Sequence, residues 1–163
     1  MGVIMVEITR HFSTTVFIVY KNKVLLHKHK KLGIIIPVGG HIDRDELPSE
    51  SAIKEAKEET GLDVELYDSS KHKDIPTYLN RGEYMNLHKI NEFHEHINFV
   101  FYAKSKSDKL KPMAGESRDI TWYSKEEIES STYLNLEVKT QALEASLNPI
   151  ENVLIFSLLF LDA

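Results

Sequence analysis

The feature that most constrains this chain is the run GGHIDRDELPSESAIKEAKEETGL at residues 39–62. A glycine pair opens it, an acidic loop follows, and Pro48 introduces a helical segment that Gly61 closes. Proline suits the first helical turn, and glycine suits the position just past the last. Glu50 adds negative charge where the helix N-terminus favours it. Ala52, Ile53, Ala56 and Thr60 fall on one side, which predicts a helix packed closely on a sheet. Glu55, Glu58 and Glu59 share the adjacent face, because residues three and four apart are neighbours on a helix. Like charges so placed destabilise a helix by roughly 0.2–0.5 kcal/mol per pair. A divalent cation removes that conflict. An ordinary acidic surface helix is the plainer reading, and this cluster alone leaves both open.

The all-oxygen character of the cluster favours a hard ion, Mg²⁺ or Mn²⁺, that keeps several waters and completes its shell with a phosphorylated substrate. Other phosphate and metal motifs are excluded by particular residues. A P-loop needs Gly-Lys-Ser/Thr after its glycines, whereas Gly40 is followed by His41 and Ile42. An EF-hand starting at Asp43 and Asp45 fails at Leu47, Pro48 and Lys54. A zinc HExxH motif is absent around Glu95, which His96 follows directly.

The same run resembles the Nudix hydrolase box. That box reads Gly, five residues, Glu, seven residues, Arg-Glu, an aliphatic position, any residue, Glu-Glu, any residue, Gly and a final aliphatic. Gly40, Glu46, Glu55, Ala56, Glu58, Glu59, Gly61 and Leu62 stand at those intervals. One place departs, where Lys54 replaces the arginine.

The resemblance implies an α/β fold, a Nudix-type α/β/α sandwich with a mixed β-sheet. It also implies that the Gly39 carbonyl, Glu55, Glu58 and Glu59 hold Mg²⁺ or Mn²⁺, with Glu55 or Glu58 taking the proton of an attacking water. In this family a late acidic residue also completes the shell or acts as base. Glu116, just before a strand carrying Trp122, is the candidate for that role, ahead of Glu95 and Glu92. Lys54 lies four residues before Glu58 and within its reach, but its ammonium is a point donor and cannot copy an arginine fork. Pro76 and Tyr78 fall near two family positions that point to different substrates, ADP-ribose and dinucleoside polyphosphates, so they do not discriminate.

Composition narrows the setting. A chain of 163 residues can bury one sizeable core, which predicts one domain over 1–163 with the box at 40–62 and an apolar tail at 150–163. The net charge of −5 argues against a nucleic-acid backbone as partner, since such binding rests on a basic surface. Without cysteine there is neither a disulfide framework nor a thiolate nucleophile, which fits a reducing, cytoplasmic setting. The opening MGVIMVEITRHF lacks the pattern of a secretory signal. The tail at 153–161 is about half the length needed to span a bilayer, and reads as a packed element.

Along the chain, residues 3–9 read as an entering strand, and 13–20 with 24–29 as a hairpin around Lys21-Asn22-Lys23. In the His27–Lys31 run, alternation sends His27 and His29 to one face and Lys28 and Lys30 to the other, as a solvated strand end or a phosphate contact. Ile34 to Ile36 read as a short buried strand ended by Pro37, with a sharp turn at Val38-Gly39-Gly40. Further strands are expected at 62–67, 84–90, 95–104 and 119–123, the third with Phe99 and Phe101 in the core and with His94 and His96 sharing a face. That histidine pair reads as structural or solvated rather than metal-binding. A loop occupies 68–80. Ser124 and Glu127 form a capping box, and 138–147 reads as a final helix broken by Asn148-Pro149.

The activity implied is Mg²⁺-dependent hydrolysis of a phosphoanhydride in a nucleoside diphosphate linked to another moiety, a small-molecule substrate with no membrane partner. Two alternatives stand beside it: a Nudix-fold regulator that binds a nucleotide without cleaving it, and a hydrolase of a non-nucleotide diphosphate. The oligomeric state is not read from the sequence.

Overall fold

A computed structural model describes residues 7–30, 32–72 and 74–147. The order of elements is β1 (Thr9–Tyr20), β2 (Lys23–Lys28), β3 (Ile35–Ile36), β4 (Val38–His41), α1 (Pro48–Thr60), β5 (Val64–Leu66), β6 (Tyr84–Asn91), β7 (His94–Ser105), β8 (Ile120–Tyr123), α2 (Lys125–Ser130) and α3 (Leu136–Leu147).

β1 organises the sheet. It runs parallel to β7 from Thr9↔His94 to Val19↔Lys104, and antiparallel to β2 and β4. β3 and β8 extend from β2, while β5 and β6 extend from β7, all antiparallel. The sheet is therefore mixed. Helices cover both faces, so consecutive residues of β1 must all be apolar, and Val16, Phe17, Ile18 and Val19 are all buried. On one face Val16, Ile18, Phe101 and Ala103 pack on Ala52 and Ala56 of α1. On the other, Phe17, Val19, Val100 and Tyr102 pack with Ile128, Val138 and Ala142 of α2 and α3. This is the α/β/α arrangement.

The β1–β2 hairpin closes at Tyr20↔Lys23 through Lys21 and Asn22, both with positive φ (45° and 59°). A two-residue connection of that hand matches the twist of the strands. At α1, the Glu50 carboxylate accepts the Leu47 N–H at 3.1 Å, Pro48 occupies the first turn, and Gly61 turns left-handed at φ 77°. A Cβ on Gly61 would also run into the Lys111 carbonyl, so two constraints require glycine there. At α2, Ser124 and Glu127 cap each other's backbone.

Several expectations are corrected. Residues 38–41 form no sharp turn; they are strand β4, held against β1 from Ser13↔His41 to Val16↔Val38. The isoleucine strand shrinks to Ile35–Ile36 and is only half-buried, because it pairs at the sheet edge with β2, and Ile34 is exposed. Ile53 is exposed as well: the buried line of α1 is Ser51, Ala52, Ala56, Glu59 and Thr60, and Ile53 lies a rotation of about 100° past Ala52. Phe101 is core but Phe99 is half-buried, while Val100 and Tyr102 on the opposite face are fully buried beneath the second helical layer. The strand expected at 62–67 is Val64–Leu66. The expected tail at 150–163, the Asn148-Pro149 break and most of the entering strand lie outside the described residues. No described helix is long and apolar enough to cross a membrane.

Candidate active site

The small residues of α1 bring its backbone down onto the sheet, and the carboxylates on the flank follow. Glu59 is the deepest, only 6% exposed. Its Oε1 accepts the Gly39 N–H at 2.9 Å, and its Oε2 lies 3.4 Å from His27 Nδ1. Burial lowers the pKa of His27, so this neighbour supplies little positive charge. Glu55 lies against Gly40, where a Cβ would occupy the space of the carboxylate. On Gly39 a Cβ would collide with the Thr14 carbonyl across the β1–β4 pair. The glycine pair thus permits two close approaches, β4 to β1 and β4 to α1.

Burial pushes the Glu59 carboxyl up to about 7, against the opposing pull of the Gly39 N–H, and Glu55, Glu116 and Glu58 raise it further. Glu55 is also pushed up to about 7, first by burial and then by Glu58, with Glu116 and Glu46 adding and Lys54 opposing. Glu55, Glu58, Glu59 and Glu116 therefore share one electrostatic neighbourhood, which Glu46 joins through Glu55. Among the described residues, the Glu55 and Glu58 carboxylates make no hydrogen bond or salt bridge, the Glu58 backbone carbonyl alone accepting the Met113 N–H at 2.9 Å. Two carboxyls, Glu55 and Glu59, that resist ionisation without a counter-charge amid further oxygen donors fit a hard divalent cation.

Glu116 arrives there through backbone docking. The Lys28 N–H donates to the Asp119 carbonyl at 2.9 Å, Ser117 Oγ donates to the Lys28 carbonyl at 3.1 Å, and Lys30 Nζ donates to the Gly115 carbonyl.

Lys54 does not reach Glu58. Its ammonium donates to Glu46 Oε1 at 2.6 Å and Asp43 Oδ2 at 3.0 Å, because the loop before α1 folds back over the helix. Its pKa is raised by Glu46 and then by Asp43, and that of Glu46 is lowered by Lys54. The lysine accordingly fixes the box glutamate Glu46.

Beside the glycines, on the α3 side of the sheet, opens a cleft of about 650 Å³ whose lining includes Ser13, Thr15, Gly39, Gly40, Asn98 and Glu137. Ser13 Oγ and Thr15 Oγ1 each donate to Asn98 Oδ1 at 3.1 Å, and Asn98 Nδ2 donates to Asn86 Oδ1 at 3.2 Å. Sequence reasoning missed this polar floor; the only available signal was a buried-face polar residue, Asn98, between Val100 and His96. His29 lines the cleft, whereas Lys28 is exposed at the end of β2.

Other expected residues are placed elsewhere. Pro76 and Tyr78 stand in the exposed loop after β5, outside the cleft lining, with the Tyr78 ring 5.1 Å from that of His72. Glu95 is engaged by Arg10 at 2.9 Å, and Glu92 is exposed in the β6–β7 turn.

The model of the NUDIX domain matches residues 9–143. This chain belongs to the NUDIX family. A solved hydrolase of the NUDIX family from Clostridium perfringens is 40% identical over 85% of this chain and 97% of its own, with a TM-score of 0.78. The Nudix fold is shared more distantly. An ADP-ribose pyrophosphatase from Streptococcus suis is 23% identical over 86% of this chain and 94% of its own, at a TM-score of 0.56. A MutT protein from Methanosarcina mazei Go1 is 20% identical over 91% of this chain and 99% of its own, at 0.64. No curated protein matches the sequence. As a Nudix hydrolase the chain is an enzyme of the class acting on phosphorus-containing acid anhydrides.

Proposed function

We propose that this Nudix hydrolase is a pyrophosphohydrolase dependent on Mg²⁺ or Mn²⁺ that cleaves the phosphoanhydride of a nucleoside diphosphate linked to another moiety. The observation that supports the reading is that Glu55 and Glu59 stand against Gly40 and Gly39, within electrostatic reach of Glu58 and Glu116, and that the same glycines line a cleft large enough for a small phosphorylated molecule.

Glu55, Glu58, Glu59, Glu116 and the Gly39 carbonyl would hold the cation. When bound, it supplies charge neutralisation at the diphosphate and a lowered pKa for the attacking water. The chain's own part is positional. The Gly39 amide holds Glu59 in one orientation, and the small-residue face of α1 keeps Glu55 and Glu58 from drifting. Either Glu55 or Glu58 accepts the proton of the water, since neither carboxylate is committed to a hydrogen bond among the described residues. Lys54 locks the loop at 43–46 onto the helix. Ser13, Thr15 and Asn98 offer polar groups to the substrate from the floor of the cleft.

We read the 163 residues as one Nudix domain working in the cytoplasm on small molecules rather than nucleic acid. Retention of every box glutamate favours turnover over binding alone. The test is a panel of nucleoside and non-nucleoside diphosphates with Mg²⁺, scored by monophosphate and phosphate release from the full chain. Release of a nucleoside monophosphate that stops in excess chelator supports the reading. Cleavage confined to non-nucleotide diphosphates, or turnover that persists in chelator, overturns it.

A further inference from the structure

A second cluster of ligating groups lies beyond the carboxylates. His11 on β1, His41 on β4, and His94 and His96 on β7 turn one nitrogen each toward a common point, and those four atoms all lie within 4.8 Å of one another. The strand pairing produces the convergence. His11 pairs with His96 across the parallel β1–β7 ladder, His41 pairs with Ser13 two residues along β1, and His94 shares the face of His96 by alternation. His41 Nε2 lies 3.0 Å from His96 Nε2, and His94 Nε2 lies 3.1 Å from His11 Nδ1.

We propose that His11, His41, His94 and His96 form a binding site for one borderline transition-metal ion, Zn²⁺ foremost, separate from the carboxylates of α1. Ligand chemistry separates the two sites. Imidazole nitrogens suit zinc, copper, nickel or cobalt and are poor donors for Mg²⁺, whereas the α1 site offers only oxygen. The dimensions agree: Zn–N bonds of about 2.0–2.1 Å put the nitrogens of a tetrahedron roughly 3.3–3.4 Å apart. The two close pairs need to open by only a few tenths of an ångström, and the wider pairs to close, which half-buried and exposed rings can do by small χ rotations. Hydrogen bonding offers a weaker alternative, because it joins the rings in two separate pairs, His41 with His96 and His94 with His11, whereas all four rings are in mutual contact.

A shell of four protein ligands is closed, which marks a structural site rather than a catalytic one. Its placement says what it would hold. His41 follows Gly40 directly, so the ion would pin the far end of β4, the strand that carries both site glycines, to β1 and β7 at the rim of the cleft.

The test uses untagged full-length protein, stripped with chelator and returned to excess Mg²⁺ so that oxygen sites are filled. Titration with Co²⁺ should give the intense visible bands of a tetrahedral nitrogen site, saturating at one equivalent and bleached by Zn²⁺. Affinity should fall by about a hundredfold or more in His11→Ala and His94→Ala, while Glu55→Gln and Glu59→Gln retain the bands. Cobalt bands that survive both histidine changes, or disappear in the glutamate variants, overturn the proposal. X-ray absorption on the zinc-loaded wild type needs no variant to fold: three or four nitrogen neighbours with imidazole scattering support the site, and fewer overturn it. These outcomes are independent of whether the chain cleaves diphosphates.

Discussion

The Gly39 N–H donates to Glu59 Oε1 at 2.9 Å, so the strand beside the cleft and the helix behind it are joined by a backbone donor and a buried carboxylate. The bond explains how so deep a glutamate remains in a helix. It lowers the pKa of Glu59 against the burial that raises it, without cancelling that burial. The glycines serve the same junction from the other side. On Gly39→Ala the new Cβ strikes the Thr14 backbone carbonyl, which cannot rotate away. Overpacking of this kind costs about 1–3 kcal/mol, so thermal denaturation of this variant is expected several degrees below wild type. Gly40→Ala instead displaces a side chain, Glu55. It should keep most of its stability and lose most of its turnover. An unchanged kcat in Gly40→Ala would contradict the placement of Glu55 in the site.

The acidic pair at the junction sets a pH dependence with a definite sign. Glu59 and Glu55 are held at about 7, above their ordinary 4.5. Between those values the folded chain keeps protons that the unfolded chain has released, so their contribution to stability falls as pH rises, and the penalty is fully present above 7. His96, pushed down to about 4 chiefly by burial and then by His41, opposes this by penalising acid conditions below its ordinary 6.5. Wild type therefore conceals the effect, and the difference between variants reveals it. Without metal, Glu59→Gln should melt above wild type at pH 8, by on the order of 1–3 kcal/mol or about 2–4 °C per kcal/mol, and near it at pH 4.5. Added Mg²⁺ should stabilise wild type at pH 8 and do little for the variant. A Glu59→Gln that melts lower than wild type at pH 8 without metal would show that the carboxylate is not under strain.

What could be read ahead of the structure was whatever depends on neighbours in sequence. Helix α1, its proline entry and its glycine exit follow from spacing within one segment, as does the Lys21–Asn22 turn. The β4 strand was misread because paired glycines usually signal a turn. Here they serve close approach, and that is visible only once Thr14 and Glu55 are in place. The partner of Lys54 was missed for a related reason. Helical spacing offered Glu58, but the ammonium turns to a loop that folds back from outside the helix. His94 and His96 announce a shared face by alternation, whereas His11 and His41 join them only through the registers of β1 with β7 and β4. Asn98 likewise needs Ser13 and Thr15, more than eighty residues earlier, to become a polar floor.

That floor makes its own prediction. Asn98 is 2% exposed and takes three side-chain hydrogen bonds, from Ser13 and Thr15 and to Asn86. Asn98→Ala leaves two hydroxyls and an amide without their partner, and buried groups so abandoned cost about 1–3 kcal/mol in total or more. Both the melting temperature and KM should respond, because Ser13, Thr15 and Asn98 all face the cleft. Asn98→Asp should restore the two hydroxyl contacts and recover part of the stability. Its added negative charge at a site for anionic substrate should leave KM raised.

Lys54 stands where the box has arginine, and its single ammonium spans Glu46 and Asp43. Removing it in Lys54→Ala frees the loop that precedes α1 and removes a cation that opposes the raised pKa of Glu55. Metal affinity, measured by the Mg²⁺ dependence of turnover, should weaken by about 10–100-fold, the range seen when groups behind a metal site are lost. Lys54→Arg should keep the loop closed and tighten metal binding, because a planar fork can engage two acceptors at once. Equal Mg²⁺ dependence for lysine, arginine and alanine would mean that the loop does not orient the glutamates.

Glu116 comes from outside the box, and its place depends on the segment at 115–119 staying docked on the end of β2. Three contacts hold that segment: Lys30 with the Gly115 carbonyl, Ser117 with the Lys28 carbonyl, and the Lys28 amide with the Asp119 carbonyl. None uses the Glu116 side chain, so Glu116→Gln should leave the fold and its melting temperature near wild type. If the carboxylate belongs to the metal shell, the Mg²⁺ concentration for half-maximal turnover should rise, and the raised pKa values of Glu55 and Glu59 should relax downward as a neighbouring charge is removed. Ser117→Ala separates positioning from ligation. It keeps the carboxylate but loosens its support, so its metal dependence should fall between wild type and Glu116→Gln. If both variants titrate with Mg²⁺ as wild type does, Glu116 is an electrostatic neighbour of the site and not one of its ligands.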